Sequence, residues 1–389
     1  MKRAGWGLWC AVLLAGCSSD ETSDPGTGGQ GAIGGSGGGG LIGGAGGTSA
    51  TGGAGGGTAE CDTPPIADAP YPPSPILCDL TWGSTIYRDP SGDSDNWPVT
   101  WGDDDALYTA YGDGHGFPPG TASKLSLGFA KVTGSPDSFV GENIPSPSGE
   151  QTGDGASGKK ASGILMVDGV LYLWMRNADQ AGSECQLASS TDHAQTWTAA
   201  TWTLPELGYC TFINYGQNYA GARDDFVYMV SHDDPSAYEA ADHFVLTRVP
   251  KAQILERAAY EFFVAVDGTG QPSWSSDVAD RGPVFTHTGL CRRSGISYSA
   301  ALGRYLWWQQ LSETTIDTRY EGGLGIYDAP EPWGPWTTVY FTELWDEGPG
   351  DAASFPTKWM SDDGRTAWLV HSGEDTFSVR EATFTLAGD

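Results

Sequence analysis

The stretch DDDALYTAY (residues 103–111) decides the fold, because it combines a polar turn with a short hydrophobic strand around an aromatic residue, and this pattern recurs. Four similar stretches follow at intervals of roughly 55 to 80 residues. The central aromatic residues of the five stretches are Tyr108, Tyr172, Tyr228, Tyr305 and Trp368. Each unit is long enough for a four-stranded antiparallel sheet. The sequence therefore predicts an all-β fold, a five-bladed β-propeller over residues 61–389, with each of these aromatic residues in a sheet of its own.

The N-terminal segment predicts export and a tether. A basic start and an apolar run lead to Leu14-Ala15-Gly16-Cys17, which resembles the lipobox of bacterial lipoproteins. We expect residues 1–16 to be a signal peptide, Cys17 to be lipidated, and the Gly-, Ser- and Thr-rich residues 17–60 to be a disordered linker. An ordinary signal peptide with an incidental cysteine is the alternative. The first interpretation places the protein at the outer membrane or cell surface, touching the membrane only through its lipid.

Composition narrows the choice of partner. The chain has 20 Lys and Arg against 49 Asp and Glu, a formal net charge of −29, so its field repels nucleic acid and anionic lipid. It also disfavours highly acidic polysaccharides, unless a local basic patch overrides it. The 16 Trp and 16 Tyr favour a neutral sugar, whose apolar faces stack on aromatic rings, although propeller cores use aromatic residues as well. We expect a monomer that binds a polysaccharide.

The cysteine spacing predicts one disulfide, and the metal-binding patterns in the sequence are weak. Cys61 and Cys78 flank a Pro-rich entry segment, and we predict a disulfide between them. Of Cys185, Cys210 and Cys291, one must stay free or pair elsewhere, and the spacing leaves the choice open. No transition-metal motif occurs and no cofactor is expected. The acidic loop at residues 103–105 could hold a structural Ca²⁺, with a solvated turn as the commoner alternative.

The segment SSTDHAQTW (residues 189–197) resembles the Asp-box of sialidase-type propellers, with Ala194 where that motif has Gly. In the Asp-box the Ser and Asp fold a hairpin corner and the Trp packs beneath it. This resemblance supports the propeller and predicts an architectural role for the segment.

The first repeat carries the clearest chemical pattern. Asp95 stands just before one predicted strand and Asp113 just after the next, so the hairpin brings both carboxylates to one end. Two facing carboxylates are what acid–base cleavage of a glycosidic bond requires. Turn formation is the alternative role for both residues. We assign Asp113 as the acid and Asp95 as its partner.

Other polar residues stand at strand ends and could bind sugar hydroxyls in the same pocket. For each of them alone, a structural or exposed role is the alternative. The candidates are Lys159, Lys160, Arg176, Asn177, Asn214, His287, Arg293 and, as a third carboxylate, Glu321.

Several segments, among them DNWPVTW (residues 95–101), LYTAYGDG (107–114) and the closing FPTKWMSDDGRTAWLVHSG (355–373), resemble the domain-of-unknown-function family 4185. The similarity covers about residues 75 to 387. Some members of that wider family are endo-D-arabinanases with a five-bladed propeller, whose essential carboxylates lie in T-D-L-G-x-x-W and G-D-T. Gly112-Asp113-Gly114 matches the second motif with Gly for Thr. Asp95 lies one residue further from Trp101 than the family's Asp lies from its Trp, so a one-residue shift or Asn96 stays open.

The resemblance and the carboxylate pair together predict a surface-tethered glycoside hydrolase acting on a polysaccharide, with arabinofuranose chains as the implied substrate. Two alternatives remain open. One is a sugar-binding lipoprotein that uses the same pocket without turnover, and the other is a polysaccharide lyase, which would depend on Tyr, His or Lys bases.

Overall fold

A computed structural model describes residues 60–90, 93–311 and 316–389. Within these ranges the chain forms strands and 3-10 helices of three residues each. The predicted signal peptide, Cys17 and all of the predicted linker except Glu60 lie outside the described residues. No helix in the described part of the chain is long and apolar enough to span a membrane.

The strands fall into consecutive antiparallel groups. The first group is β2 (Asp95–Trp101), β3 (Leu107–Gly112), β4 (Gly128–Thr133) and β5 (Val140–Ile144), and the second is β6 (Lys160–Val167), β7 (Val170–Arg176), β8 (Cys185–Ser190) and β9 (Thr198–Leu204). The third is β10 (Thr211–Asn214), β11 (Phe226–His232), β12 (Ala241–Pro250), β13 (Glu261–Val266), β14 (Pro272–Ser275) and β15 (Pro283–Cys291). The fourth is β16 (Ser294–Ser299), β17 (Arg304–Leu311), β18 (Gly323–Ala329) and β19 (Thr337–Thr342).

The last group combines the two ends of the described chain. It contains β20 (Ala353–Ser354), β21 (Thr366–His371), β22 (Ser378–Leu386) and the first strand of all, β1 (Leu77–Arg88). Strand β1 pairs with β22 along most of its length. The 3-10 helices are Gly155–Ser157, Gln217–Tyr219, Lys251–Gln253, Arg257–Ala259, Val278–Asp280, Thr357–Trp359 and Gly373–Asp375.

The recurring turn-and-aromatic pattern has a physical basis in the Asp that starts it. Asp104 accepts a hydrogen bond from the backbone N–H of Ala106, and the hydroxyl of Tyr108 donates to its other oxygen at 2.8 Å. Asp224 makes the same two contacts with Phe226 and Tyr228. The carboxylate thus closes the hairpin turn while the Tyr ring behind it is buried in the sheet, so turn and strand specify each other locally.

The five central aromatic residues all lie on the second strand of their groups, namely β3, β7, β11, β17 and β21. The prediction of a separate sheet for each is wrong for Tyr228 and Tyr305, which belong to one ten-stranded sheet. The reason is that β10 and β16 pair in parallel over two residue pairs, Ile213 with Ile296 and Asn214 with Ser297. Neighbouring first strands converge closely enough there to exchange backbone hydrogen bonds.

The first strands of the groups touch one another in sequence. β2 contacts β6, β6 contacts β10, β10 contacts β16, β16 contacts β20, and β20 contacts β2. These contacts form a closed circle, so the starts of strands that are far apart in sequence come together. Fully buried aromatic rings, among them Trp97, Trp174, Trp307 and Trp308, pack within and between the groups.

The predicted disulfide between Cys61 and Cys78 is confirmed. It ties the entry segment to β1, and closing a loop of this size stabilises a fold by about 3 kcal/mol. Cys185, Cys210 and Cys291 are unpaired and buried. The predicted hairpin corner is also confirmed, because Ser190 Oγ and Asp192 Oδ1 accept backbone N–H groups of the turn between β8 and β9. Trp197 stacks on Phe129 at 4.8 Å between ring centroids.

Candidate active site

A cavity of about 400 Å³ opens where the first strands of several groups begin. Asp95 is the first residue of β2, and Asp113 directly follows β3. Arg293 and Asp351 stand just before β16 and β20. The lining residues are Asp95, Asp113, Lys124, Tyr238, Arg292, Arg293, Ile316, Asp317, Thr318, Arg319, Asp351 and Asp375. Carboxylates and cations dominate this surface, which makes it a site for polar chemistry.

Asp95 is held by its own hairpin. Asn96 donates from Nδ2 to Asp95 Oδ1 at 2.5 Å, and Arg176 donates to Asn96 Oδ1 at 2.9 Å. Asp95 pairs with Gly112 on β3, where a Cβ atom would lie 2.7 Å from Asp95 Oδ1. A glycine is therefore required opposite the carboxylate. Asn96 and Trp97 both adopt left-handed backbone, with φ of 73° and 64°, and residues held in this way tend to cluster at functional sites.

The environment of Asp95 favours its protonated form. Burial is the main cause, and the negative charges of Asp351 and Asp113 add to it. The cations Lys160 and Arg176 oppose these effects without cancelling them. The pKa of Asp95 rises from 3.8 to about 7, so this carboxyl group exchanges a proton near neutral pH.

Asp113 has a different partner. Its Oδ1 forms an ion pair with Lys160 Nζ, and the Lys160 side chain is buried at the start of β6. Asp113 itself has left-handed backbone, with φ of 48°. The two acids of the hairpin therefore differ in partner, and only Asp113 touches a cation.

Asp351 is a third carboxylate that lies between two buried arginines. Arg293 lies 2.5 Å from its Oδ1 and Arg176 lies 3.5 Å from its Oδ2. Burial alone would raise the pKa of Asp351, but the charges of Arg293, Arg176 and Lys160 outweigh burial and lower it. Asp351 thus stays ionised across the working pH range and acts on Asp95 as a fixed negative charge.

The outer wall of the cavity contains a second set of charges. Arg319 pairs with Asp317 at 2.7 Å and with Asp375 at 3.0 Å. Lys124 pairs with Asp154 at 3.2 Å, and both of these side chains are largely exposed. Arg292 lines the same wall without an ion pair or hydrogen bond from its guanidinium to any residue that the structure describes.

The structure brings five of the residues singled out in the sequence to this cavity or directly behind it, namely Asp95, Asp113, Lys160, Arg176 and Arg293. Asn177 lies close by but its Nδ2 holds a loop, donating to the carbonyls of Gly155 and Gly158 and to Tyr238.

The remaining four lie elsewhere. Lys159 donates to Gln186 at 2.8 Å and lines a separate cavity, because successive residues of a strand point to opposite faces. Asn214 ends the four-residue strand β10, away from the strand starts that form the site. His287 contacts Gln309 and lines another cavity. Glu321 is exposed and does not line the cavity.

Sequence reasoning missed Asp351, Arg319 and Tyr238. Asp351 stands in the loop GPGDAAS, before a strand of only two residues, where no hydrophobic pattern marks a strand. Arg292 adjoins Arg293, and only the fold shows that one is paired with a carboxylate while the other is not. A charged residue just before a first strand is the pattern that could have found Asp351.

The acidic loop suggested for Ca²⁺ lies away from this cavity. Asp103, Asp104 and His193 place their potential ligand atoms within 4.8 Å of one another. Asp103 contacts His193 at 2.8 Å, and Asp104 accepts from Tyr108. These contacts give the carboxylates a structural role in the turn.

No family model matches the sequence, and no curated protein sequence matches it either. The resemblance to the domain-of-unknown-function family 4185 therefore stays a prediction. Among solved structures, the catalytic domain of a Coprinopsis cinerea GH62 α-L-arabinofuranosidase aligns at a TM-score of 0.45 and 9% identity, over 80% of this chain and 98% of that one.

Two further solved structures align at similar levels. The RS223 β-xylosidase gives a TM-score of 0.43 and 12% identity, over 78% of this chain and 95% of that one. A thermostable family-43 glycoside hydrolase gives a TM-score of 0.41 and 12% identity, over 77% and 92%. Similarity at this level defines neither the family nor the activity of this chain.

Proposed function

We propose that this protein is a glycoside hydrolase that cleaves a polysaccharide with Asp95 and Asp113 as its acid–base pair. The observation that carries the proposal is the contrast between the two carboxyl groups. Asp95 has its pKa raised to about 7, while Asp113 of the same hairpin contacts the buried Lys160. Pairs of acids whose environments differ in this way are typical of enzymes that protonate one oxygen and deprotonate another.

These environments support the opposite assignment of roles to that of the sequence interpretation, with Asp95 as the acid and Asp113 as its partner. Protonated Asp95 would donate its proton to the glycosidic oxygen as the bond to the anomeric carbon breaks. Ionised Asp113 would either remove a proton from the attacking water or attack the anomeric carbon itself. In the first case the hydroxyl of the water bonds to the anomeric carbon and its proton ends on Asp113. In the second case a water molecule displaces Asp113 from the anomeric carbon, frees its carboxylate and gives its proton to Asp95.

We propose that the fold is a five-bladed β-propeller in which each antiparallel group is one blade. Support comes from the closed circle of contacts among β2, β6, β10, β16 and β20, and from β1, which completes the sheet of the last group. In this arrangement the short pairing of β10 with β16 is a contact between adjacent blades near the axis.

We also propose that the protein is anchored in the cell envelope, at the outer membrane or cell surface, by a lipid on Cys17. Replacing Cys17 by Ser should move the protein from the membrane fraction to the soluble fraction. Retention of Cys17→Ser in membranes would contradict the anchor, and this result would leave the chemical proposal untouched.

The activity is tested by release of reducing ends from arabinans and a panel of other wall polysaccharides. The resemblance noted in the sequence makes arabinofuranose chains the first substrate to try. Asp95→Asn and Asp113→Asn should each lower turnover by about 10²-fold or more, since each removes a proton-transfer group. Asp137→Asn, in an exposed loop, is the matched control. Binding of a glycan without cleavage by the parent protein would favour the sugar-binding alternative.

A further inference from the structure

Most charged side chains around the cavity have an oppositely charged partner, and Arg292 does not have one among the described residues. Asp113 is paired with Lys160, and Asp351 is paired with Arg293 and Arg176. On the outer wall, Arg319 is paired with Asp317 and Asp375, and Asp95 favours its neutral form.

Lys124 is paired with Asp154, so Arg292 is the cation left without an ion pair among the described lining residues. It directly follows β15 and precedes Arg293, at the same end of the first strands as Asp95. Its Nε is buried and has no hydrogen-bond acceptor within the described residues. Arg293, one residue later, has the carboxylate of Asp351 at 2.5 Å.

The surroundings of Arg292 make its charge unfavourable in the empty cavity. Burial lowers its pKa, and the nearby cations Arg293 and Arg176 lower it further, while Asp351 and Glu239 act in the opposite direction without restoring it. A buried guanidinium N–H without an acceptor is costly to retain. An anionic group of a ligand would supply both the missing acceptor and the missing charge.

We propose that Arg292 is an anion subsite, which binds an acidic substituent on a sugar ring next to the Asp95–Asp113 pair. The planar guanidinium matches a carboxylate or a phosphate through two parallel hydrogen bonds. The inference rests on the proposed function in placing a sugar in this cavity, and it narrows the substrate to a polysaccharide with acidic substituents. The protein's overall negative charge does not exclude such a substrate, because the guanidinium of Arg292 is a local positive charge that no carboxylate of the described residues pairs with.

Binding of simple sugars tests the subsite without turnover. Isothermal titration calorimetry of the full chain should show that glucuronate binds at least about tenfold more tightly than glucose, since the pair adds a charge-assisted bidentate contact. Arg292→Gln should lose that preference and leave glucose binding unchanged. Arg292→Lys should keep part of the preference for glucuronate, because lysine retains the positive charge but lacks the planar guanidinium that forms two parallel hydrogen bonds.

Arg365→Gln is the matched control, since Arg365 is a surface arginine paired with Asp389. It should bind glucuronate as the parent does. Glucose 6-phosphate distinguishes a phosphate from a carboxylate as the group that binds. If it binds more tightly than glucuronate, the subsite takes a phosphate, and if glucuronate binds more tightly, the subsite takes a carboxylate. Thermal unfolding of each variant checks that it is folded.

Equal binding of glucose and both anions by the parent protein would overturn the subsite, and so would an anion preference that survives in folded Arg292→Gln. These outcomes are separable from failure of the proposed function. An anion preference with no cleavage of any polysaccharide would refute the hydrolase alone, and cleavage without an anion preference would refute the subsite alone.

Discussion

Replacing Asp351 by Asn should move the pH range in which the proposed hydrolase works. Asp351 is the second largest cause of the raised pKa of Asp95, after burial. Asn keeps the size of the side chain and removes its charge, and it leaves Arg293 and Arg176 as uncompensated cations near Asp95. Both changes favour ionised Asp95.

The size of the effect follows from the present shift. The pKa of Asp95 rises from 3.8 to about 7, which corresponds to about 4 kcal/mol of preference for the protonated form. Burial persists in Asp351→Asn, so we expect the pKa of Asp95 to fall by about one to two units rather than the whole shift. If Asp95 is the acid, a fall of one unit reduces its protonated fraction at pH 7 roughly fivefold.

The assay is the pH dependence of kcat/KM. A general acid must be protonated, so the alkaline limb reports Asp95 and should move to lower pH in Asp351→Asn. Asp317→Asn, on the same cavity but paired with Arg319, should leave that limb in place. If Asp95 were the base instead, the acidic limb would move. An alkaline limb that stays at its position in a folded Asp351→Asn protein would refute the assignment. Asp351→Asn leaves buried arginines without their carboxylate partner, which is destabilising, so the fold of this variant must be verified by circular dichroism.

The geometry of the site predicts the direction of the effect of three further substitutions. Asp95→Asn should raise the unfolding temperature at pH 8 more than at pH 4. The pKa of Asp95 is higher in the folded protein than in the unfolded chain, so the folded protein loses up to about 4 kcal/mol of stability as the pH rises from 3.8 to about 7. Asn does not titrate and removes that loss. Gly112→Ala should lower kcat at least about tenfold with modest loss of stability, because its Cβ would lie 2.7 Å from Asp95 Oδ1, and normal turnover would show that the hairpin can give way. Lys160→Met should remove the ion pair that holds the Asp113 carboxylate and lower kcat at least about tenfold, whereas Lys159→Met, one residue earlier and outside the cavity, should leave kcat unchanged.

The repeated β groups could be predicted from the sequence because their determinants are local. Each hairpin is closed by an Asp and a Tyr that lie four residues apart, Asp104 with Tyr108 and Asp224 with Tyr228. The pattern can therefore be recognised within a short stretch of sequence. The pairing of β10 with β16 could not be predicted in this way. It depends on how closely two neighbouring first strands approach, which the whole circle of strands determines.

The same distinction between local and long-range determinants applies to the residues of the candidate site. Asp95 and Asp113 belong to one hairpin, so a strand–turn–strand pattern placed them together. Asp351 and Arg292 come from loops in the later part of the chain that carry no periodic pattern. Lys159 and Lys160 could not be told apart by sequence, because their difference is which face of β6 each side chain takes.

The roles of the two carboxylates are set by groups outside their hairpin. Lys160 comes from the second group of strands and contacts Asp113, while Asp351 comes from the last group and acts on Asp95. These two groups flank the first group in the circle of contacts, since β2 touches both β6 and β20. The hairpin alone would present two similar acids. The contrast behind the proposed acid and base roles therefore arises when both flanking groups are in place beside the first, and the last group is completed by β1, which pairs with β22.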